Sequence, residues 1–161
     1  MILKIKNEYL TAEINENGAE LSSLKSNKSG TEYRWQGDAK YWTGRSPVLF
    51  PICGRLFEGK YTYGGKTYEM ANHGIVRHAD FSSEKLSDVS VELTYLSSEE
   101  SKKIYPFDFE FKVKFTLNEN AIEVTYSVKN TGVKDLPFSF GAHPAFNVPF
   151  NKDEKLEDYY L

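Results

Sequence analysis

Apolar and polar side chains alternate along much of this chain, which is the pattern of β-strands with one buried face. The clearest case spans residues 107–117, where aromatic and aliphatic residues occupy every second position and polar residues stand between them. Residues 122–128 repeat the pattern after a turn at residues 118–120. The two runs predict a long antiparallel hairpin with one apolar face and one charged face.

Shorter runs of the same kind predict further strands on both sides of this hairpin. They are residues 3–6, 10–14, 19–24, 81–86 and 89–96, with a shorter candidate at residues 31–35. Gly64 and Gly65 separate two runs of Tyr and Thr, and this favours a hairpin with a two-residue turn at positive φ. Residues 38–42 predict one helical turn capped by Asp38. Because no segment predicts a helix of three turns, the predicted class is all-β, with antiparallel strands and short connections.

Length and composition narrow the choice of function. The 161 residues fit one domain, and 40% hydrophobic residues are enough for a substantial core. A net charge of -3 offers no basic surface for nucleic acid, and no apolar stretch is long enough to span a membrane. The first residues lack the apolar run of a signal peptide, so we predict a cytoplasmic protein.

The potential metal ligands and nucleophiles do not form a recognisable site in the sequence. His73, His78 and His143 lack a repeating ligand spacing, and no acidic residue completes a facial triad with them. Cys53 has no second cysteine to pair with, and we expect it to be a small buried residue. The sequence therefore predicts no metal, and it has no nucleophile motif of the Gly-x-Ser-x-Gly type.

His143 lies in the most distinctive segment of the chain, residues 138–150, between small residues and with phenylalanines on both sides. Pro144 restricts His143 to extended backbone and cannot donate to a sheet, which favours a strand end or a sheet edge. Histidine titrates near neutral pH, so this imidazole suits a general acid on an apolar wall. A structural histidine bonded to a backbone carbonyl is the alternative.

Two loops contain further polar groups. Residues 44–55 combine prolines, glycines and apolar residues with Arg45 and Arg55, and this composition predicts a packed loop. A guanidinium fork suits vicinal hydroxyls or a carboxylate, although each arginine is otherwise an ordinary solvated charge. Residues 70–78 form a second loop, which contains His73 and Arg77.

Four segments together resemble the aldose 1-epimerase (galactose mutarotase) superfamily, and above all its bacterial LacX-like branch. They are RSPVLFP at residues 45–51 with the Gly-Arg pair at 54–55, GKYTYGGKTY at 59–68, NHGIVR at 72–77, and FGAHPAFN at 140–147. No single motif is decisive, but their order and spacing are specific together. The resemblance extends over residues 1–161, which correspond to the N-terminal part of the family domain.

The resemblance implies a large antiparallel β-sandwich of the galactose mutarotase type and a cofactor-free reaction on a small-molecule sugar. In that reaction a carboxylate base and a histidine acid open the ring of an aldohexose, which interconverts its α and β anomers. The acid of the family matches His143, its sugar-binding arginine matches Arg55, and its second sugar-contacting histidine matches His73. Arg77 occupies a motif position of the branch and is a further substrate-binding candidate.

The chain departs from the family pattern in its length. Family members are nearly twice as long, and their base glutamate and a sugar-binding aspartate lie in the portion that this chain does not match. We therefore expect an incomplete sandwich, with the edge of a last strand at residues 155–161 covered by a second copy or by a complementing C-terminal chain. The resemblance leaves two alternatives open, a non-catalytic sugar-binding module and a phosphosugar epimerase with an arginine cluster from Arg45, Arg55 and Arg77.

Overall fold

The computed structural model describes residues 1–160, and antiparallel strands with one short helix account for its regular structure. The strands are β1 (Ile2–Lys6), β2 (Leu10–Asn15), β3 (Glu20–Ser26), β4 (Val48–Leu49), β5 (Lys60–Tyr63), β6 (Lys66–Glu69), β7 (Ser82–Ser87), β8 (Ser90–Leu96), β9 (Phe109–Asn118), β10 (Ala121–Asn130) and β11 (Gly141–Ala142). The α-helix is α1 (Glu99–Ile104), and single 3-10 turns occur at Phe57–Gly59, Val76–His78 and Leu156–Asp158. This composition confirms the all-β, antiparallel class.

The strands form two larger sheets that share one core. β1, β2 and β3 form a three-stranded sheet, and the second sheet has the order β10-β9-β8-β7. β4 pairs with β11, and β5 pairs with β6 through the predicted turn, where Gly64 and Gly65 have φ of 57° and 77°. Buried residues of both larger sheets, such as Ile14 and Phe111, belong to a single apolar cluster. The site loops described below lie against this cluster.

β9 is the central strand of the core and follows the predicted alternation. Phe109, Phe111, Val113 and Phe115 are at most 2% exposed, while the polar residues between them remain partly exposed. Phe50, next to β4, stacks on Phe111 with a centroid distance of 4.8 Å and an interplanar angle of 19°. This contact joins the packed loop before residue 55 to the four-stranded sheet.

β10 is the outer strand of that sheet and is less well covered. It pairs with β9 over its full length, from Ala121 opposite Asn118 to Asn130 opposite Phe109. Its apolar residues face the core side but are only half-buried, as for Ile122 and Val124. Within the part of the chain that the structure describes, no other strand pairs with its second edge.

The predicted last strand at residues 155–161 is wrong for the described residues, and Leu161 lies outside them. Residues 156–158 form a 3-10 turn instead. The Tyr159 hydroxyl donates to the Glu154 carboxylate and accepts a hydrogen bond from the Phe150 N–H at 2.8 Å. These local bonds fold the segment back on Phe150, so residues 155–160 add no strand to either larger sheet.

Two other short predictions differ in detail. Residues 31–35 make isolated bridges, Glu32 with Lys25 and Arg34 with Phe146, in place of a strand. At residues 38–42 the chain makes a turn, and the Asp38 carboxylate accepts from the Lys40 N–H at 2.9 Å. Asp38 thus caps this turn as predicted.

The sequence reasoning missed α1. Its N-cap is Ser98, whose hydroxyl accepts from the Ser101 N–H in a capping box. Within residues 1–160, no helix combines the length and apolar character needed to cross a bilayer.

Candidate functional site

His143 follows directly after β11, and backbone bonds hold it there. β11 pairs with β4, and the His143 N–H donates to the Pro47 carbonyl at 3.0 Å. The side chain is exposed, and its imidazole makes no hydrogen bond to any residue of the described chain. It is therefore the peptide N–H of His143, and not its ring, that binds a backbone carbonyl, which leaves both ring nitrogens free for a ligand.

His73 lies opposite His143, with 6.2 Å between the ring centroids. Two hydrogen bonds to Gly54 fix it: the His73 N–H donates to the Gly54 carbonyl at 2.8 Å, and its Nδ1 accepts from the Gly54 N–H at 3.0 Å. Because Nδ1 is an acceptor, the neutral imidazole has its proton on Nε2. His73 can therefore donate a hydrogen bond from Nε2 to a ligand oxygen.

Gly74 allows the His73 loop to approach the core. Its φ is +82°, and a Cβ on it would lie 2.2 Å from the Phe50 carbonyl oxygen. The next residue, Ile75, donates its N–H to that oxygen at 2.9 Å. A side chain at position 74 would therefore push this loop, and His73 with it, away from Phe50.

The surroundings of His73 favour its neutral form. Burial is the largest cause of its lowered pKa, and the positive charges of Arg77 and His143 lower that pKa further. No carboxylate of residues 1–160 forms an ion pair with His73 or His143. A neutral His73 suits the role of a hydrogen-bond donor near neutral pH.

We predict that the His73 ring, followed by NMR, titrates with a midpoint below the ordinary value of about 6.5. Arg77→Met removes the positive charge of Arg77 and should raise this midpoint. Burial of the His73 ring should still keep the midpoint below the ordinary value. Arg55→Met is the matched control and should leave it unchanged. A wild-type midpoint at or above the ordinary value would contradict this electrostatic description.

The three candidate arginines differ in their exposure and in their hydrogen-bond partners. Arg55 is exposed and follows Gly54, the residue that binds His73, and its side chain makes no ion pair or hydrogen bond to any described residue. Arg77 is partly buried, and its Nε is buried without an acceptor. Arg45 points elsewhere, since its Nη1 donates to the Ser22 carbonyl at 3.3 Å.

Trp42 is the aromatic neighbour of His143. Its ring centroid lies 5.1 Å from that of His143, with a tilt of 53°. Gly44 lies beneath the indole, because a Cβ there would be 2.5 Å from the Trp42 ring. The turn at Asp38 brings Trp42 to this place, so a capped turn far from His143 in sequence supplies one wall of the site.

The prediction that Cys53 is buried is wrong, because its side chain is exposed. A Cβ on Gly141 would lie 2.9 Å from the Cys53 sulfur, so this thiol lies against β11. The Cys53 N–H donates to the Ser139 hydroxyl at 3.1 Å. Among residues 1–160, no three His, Cys, Asp or Glu side chains are grouped as metal ligands.

Known proteins with similar sequences span more residues than this chain. The Lactococcus lactis protein LacX, in plasmid and chromosomal forms, is 40% identical over 167 aligned positions, which cover 100% of this chain and 56% of LacX. The chain thus spans about half the length of these relatives.

Solved structures of similar proteins have the same fold as this chain. The galactose mutarotase related enzyme from Lactobacillus acidophilus superposes with a TM-score of 0.94 at 40% identity, over 98% of this chain and 53% of that one. A galactose mutarotase-like protein from Lactobacillus casei gives a TM-score of 0.90 at 38% identity, over 95% and 52%. These similarities confirm the galactose mutarotase-like sandwich.

The family model for aldose 1-epimerase matches residues 1–161. This match extends over the whole chain and agrees with the similar proteins and with the superposed structures. The chain belongs to the aldose 1-epimerase family.

Proposed function

We propose that this chain provides the general acid and part of the sugar-binding site of an aldose 1-epimerase. The observation that carries the proposal is the pair of imidazoles of His73 and His143, whose centroids are 6.2 Å apart at the end of β11. One ring has both nitrogens free, and the other presents Nε2–H. Sugar oxygens need donors of this kind at fixed positions.

In the proposed reaction, the His143 imidazolium gives its proton to the ring oxygen of the sugar. A base takes the proton of the anomeric hydroxyl, the bond between C1 and the ring oxygen breaks, and C1 becomes a carbonyl carbon. Rotation of that carbonyl and the reverse proton transfers close the ring on the other face. The base is a carboxylate from outside residues 1–161, and this chain performs the acid step.

The neighbouring residues have binding roles in this proposal. His73 donates from Nε2 to a sugar oxygen, while Arg55 and Arg77 offer guanidinium donors to hydroxyl groups. The indole of Trp42, next to His143, packs against the C–H face of the ring. Phe146, also in the segment of His143, has its ring centroid 4.7 Å from the Arg34 guanidinium carbon and packs against that side chain instead.

NMR of the histidine rings tests the binding part of the proposal. We expect D-galactose or D-glucose to shift the ring signals of His73 and His143. His78 is an internal control, because it is exposed on a different turn and makes no ring contact with the pair. An open-chain polyol such as sorbitol controls for bulk effects. Unchanged signals of both site histidines at saturating sugar would refute the proposed site.

Polarimetry tests the catalytic part. A chimera that joins residues 1–161 to the C-terminal portion of the Lactobacillus acidophilus relative should accelerate the decay of fresh α-D-galactose beyond the spontaneous rate. The isolated chain should give weak acceleration at best. Binding without acceleration by the chimera would favour a non-catalytic sugar-binding module, and a clear preference for hexose 6-phosphates would favour a phosphosugar epimerase.

A further inference from the structure

The His143 ring owes its orientation to packing. A catalytic imidazole is commonly oriented by a hydrogen bond between its second nitrogen and a carbonyl or carboxylate oxygen. The His143 ring makes no such bond to any residue of the described chain. Its nearest aromatic neighbour is the indole of Trp42, with 5.1 Å between the ring centroids and a tilt of 53°. Aromatic pairs at this spacing attract each other, so this contact restricts the rotation of the imidazole.

Trp42 is itself held by bonds to both polar groups of its backbone. Its N–H donates to the Asp38 carbonyl at 2.9 Å. Its carbonyl accepts from the indole Nε1–H of Trp35 at 2.8 Å. One side of the Trp42 ring lies on Gly44, where a Cβ would be 2.5 Å away. These contacts leave the indole little freedom to move away from His143.

Residues 35–45, which we call the Trp42 loop, are bonded at both ends to the segment that contains His143. At the start of the loop, the Trp35 N–H donates to the Ala145 carbonyl at 3.1 Å. At its end, the Arg45 carbonyl accepts from the Ala145 N–H at 3.0 Å. Ala145 comes two residues after His143. The Trp42 loop and the acid are therefore built on the same short piece of backbone.

The end of the Trp42 loop is also fixed from the core side. The Glu20 carboxylate, at the start of β3, accepts from the N–H groups of Arg45 and Ser46 at 2.9 and 2.8 Å. The buried Arg34 donates from Nη2 to the Arg45 carbonyl at 2.8 Å. The loop thus has a rigid support, as a residue that positions a catalytic group requires.

We propose that Trp35 and Trp42 are positioning residues for His143. The Trp35 indole N–H holds the Trp42 backbone, and the Trp42 ring holds the imidazole in the orientation from which it delivers its proton. This inference rests on the proposed function, because the orientation affects catalysis only if His143 transfers a proton. A general acid must lie within hydrogen-bond distance of its target atom, and a displacement of about 1 Å can cost about 10²-fold in rate.

NMR of the sugar-free chain tests the orientation directly. The couplings between the Hα and Hβ protons of His143 should indicate a single χ1 rotamer in the wild-type chain. Trp42→Leu removes the aromatic face and should give couplings averaged over several rotamers. Trp42→Phe keeps an aromatic face and should preserve the single rotamer. Averaged couplings in the wild-type chain, or a single unchanged rotamer in Trp42→Leu, would overturn the proposal.

Trp35→Phe separates positioning from sugar binding, because it removes the indole N–H at a residue whose own ring packs on Tyr41. In the chimera with the C-terminal portion of the Lactobacillus acidophilus relative, it should lower kcat about fivefold, the usual effect of one neutral hydrogen bond. We expect KM to stay unchanged, since an interaction that acts only in the transition state does not alter it. A loss of direct packing between Trp42 and the sugar would raise KM instead.

Tyr61→Phe is the matched control. It also removes a side-chain donor from a backbone carbonyl, that of Ile104 at 2.7 Å, but Tyr61 lies on β5 and outside the Trp42 loop. It should retain the full kcat of the chimera and the single rotamer of His143. An unchanged kcat in Trp35→Phe, or an equal loss in Tyr61→Phe, would overturn the positioning role of Trp35.

Gly44→Ala covers the case in which Trp42→Leu fails to fold. The added methyl group would meet the Trp42 ring, so it should displace the indole while both tryptophans remain, and the His143 couplings should become averaged. These couplings are measured without sugar, so the positioning role can fail while sugar binding at His73 and His143 stands. A wild-type chimera without mutarotase activity would instead refute the proposed function, whatever the couplings show.

Discussion

His143→Asn in the chimera should lower the rate of mutarotation by about 10²–10⁴-fold, the usual contribution of one general acid or base. Asparagine keeps a polar side chain of similar size but cannot give up a proton near neutral pH. The His143 ring makes no hydrogen bond to any residue of the described chain, so the substitution should not disturb the fold. Polarimetric decay of fresh α-D-galactose, corrected for the spontaneous rate, measures the effect.

His78→Asn is the control for this experiment and should retain the full rate, because His78 is exposed and lies outside the pair of facing imidazoles. We expect the loss in His143→Asn to fall on kcat, with a smaller change in KM, since the acid acts mainly in the transition state. A chimera whose rate survives His143→Asn would assign the acid to another group and exclude the proposed mechanism.

Phe111→Ala should lower the free energy of unfolding of the isolated chain by about 3–5 kcal/mol. Phe111 is 0% exposed, and its ring stacks on Phe50 at 4.8 Å. Neighbours on rigid β-strands cannot move to fill the space, so the substitution removes buried contacts and leaves a cavity. Urea unfolding followed by circular dichroism gives the free energy.

Phe57→Ala provides the comparison, because Phe57 is 87% exposed and loses little contact on truncation. Its effect should remain within about 0.5 kcal/mol, the range of most surface substitutions. A loss below about 1 kcal/mol in Phe111→Ala would mean that β9 is not the centre of the core, because such a value is usual for exposed sites.

The alternation of side chains was sufficient to predict the larger strands. In β9, each apolar residue lies two positions from the next, and this spacing by itself places Phe109, Phe111, Val113 and Phe115 on one face. The turn at Gly64 and Gly65 was equally local, because the required positive φ depends on the residue type alone. Local rules also place His143 at a strand end, since Pro144 acts only on its neighbour.

The tail shows where local patterns fail. Residues 155–160 have the composition of a strand start, but no partner strand lies within the described residues. The hydrogen bonds of Tyr159 with Glu154 and Phe150 stabilise a 3-10 turn there. Strand propensity has little effect without a sheet to join, because it depends on packing against neighbours.

The sequence by itself determined the all-β class, the long hairpin and the position of His143 at a strand end, because each depends on neighbours along the chain. Only the tertiary structure brought His73 to 6.2 Å from His143, through its bonds to Gly54 and the close approach of Gly74 to Phe50. Only the tertiary structure buried Arg34 and placed the Arg45 carbonyl where its Nη2 can donate to it. Burial and partners are decided by residues far apart in sequence, and no local pattern specifies which of them will meet.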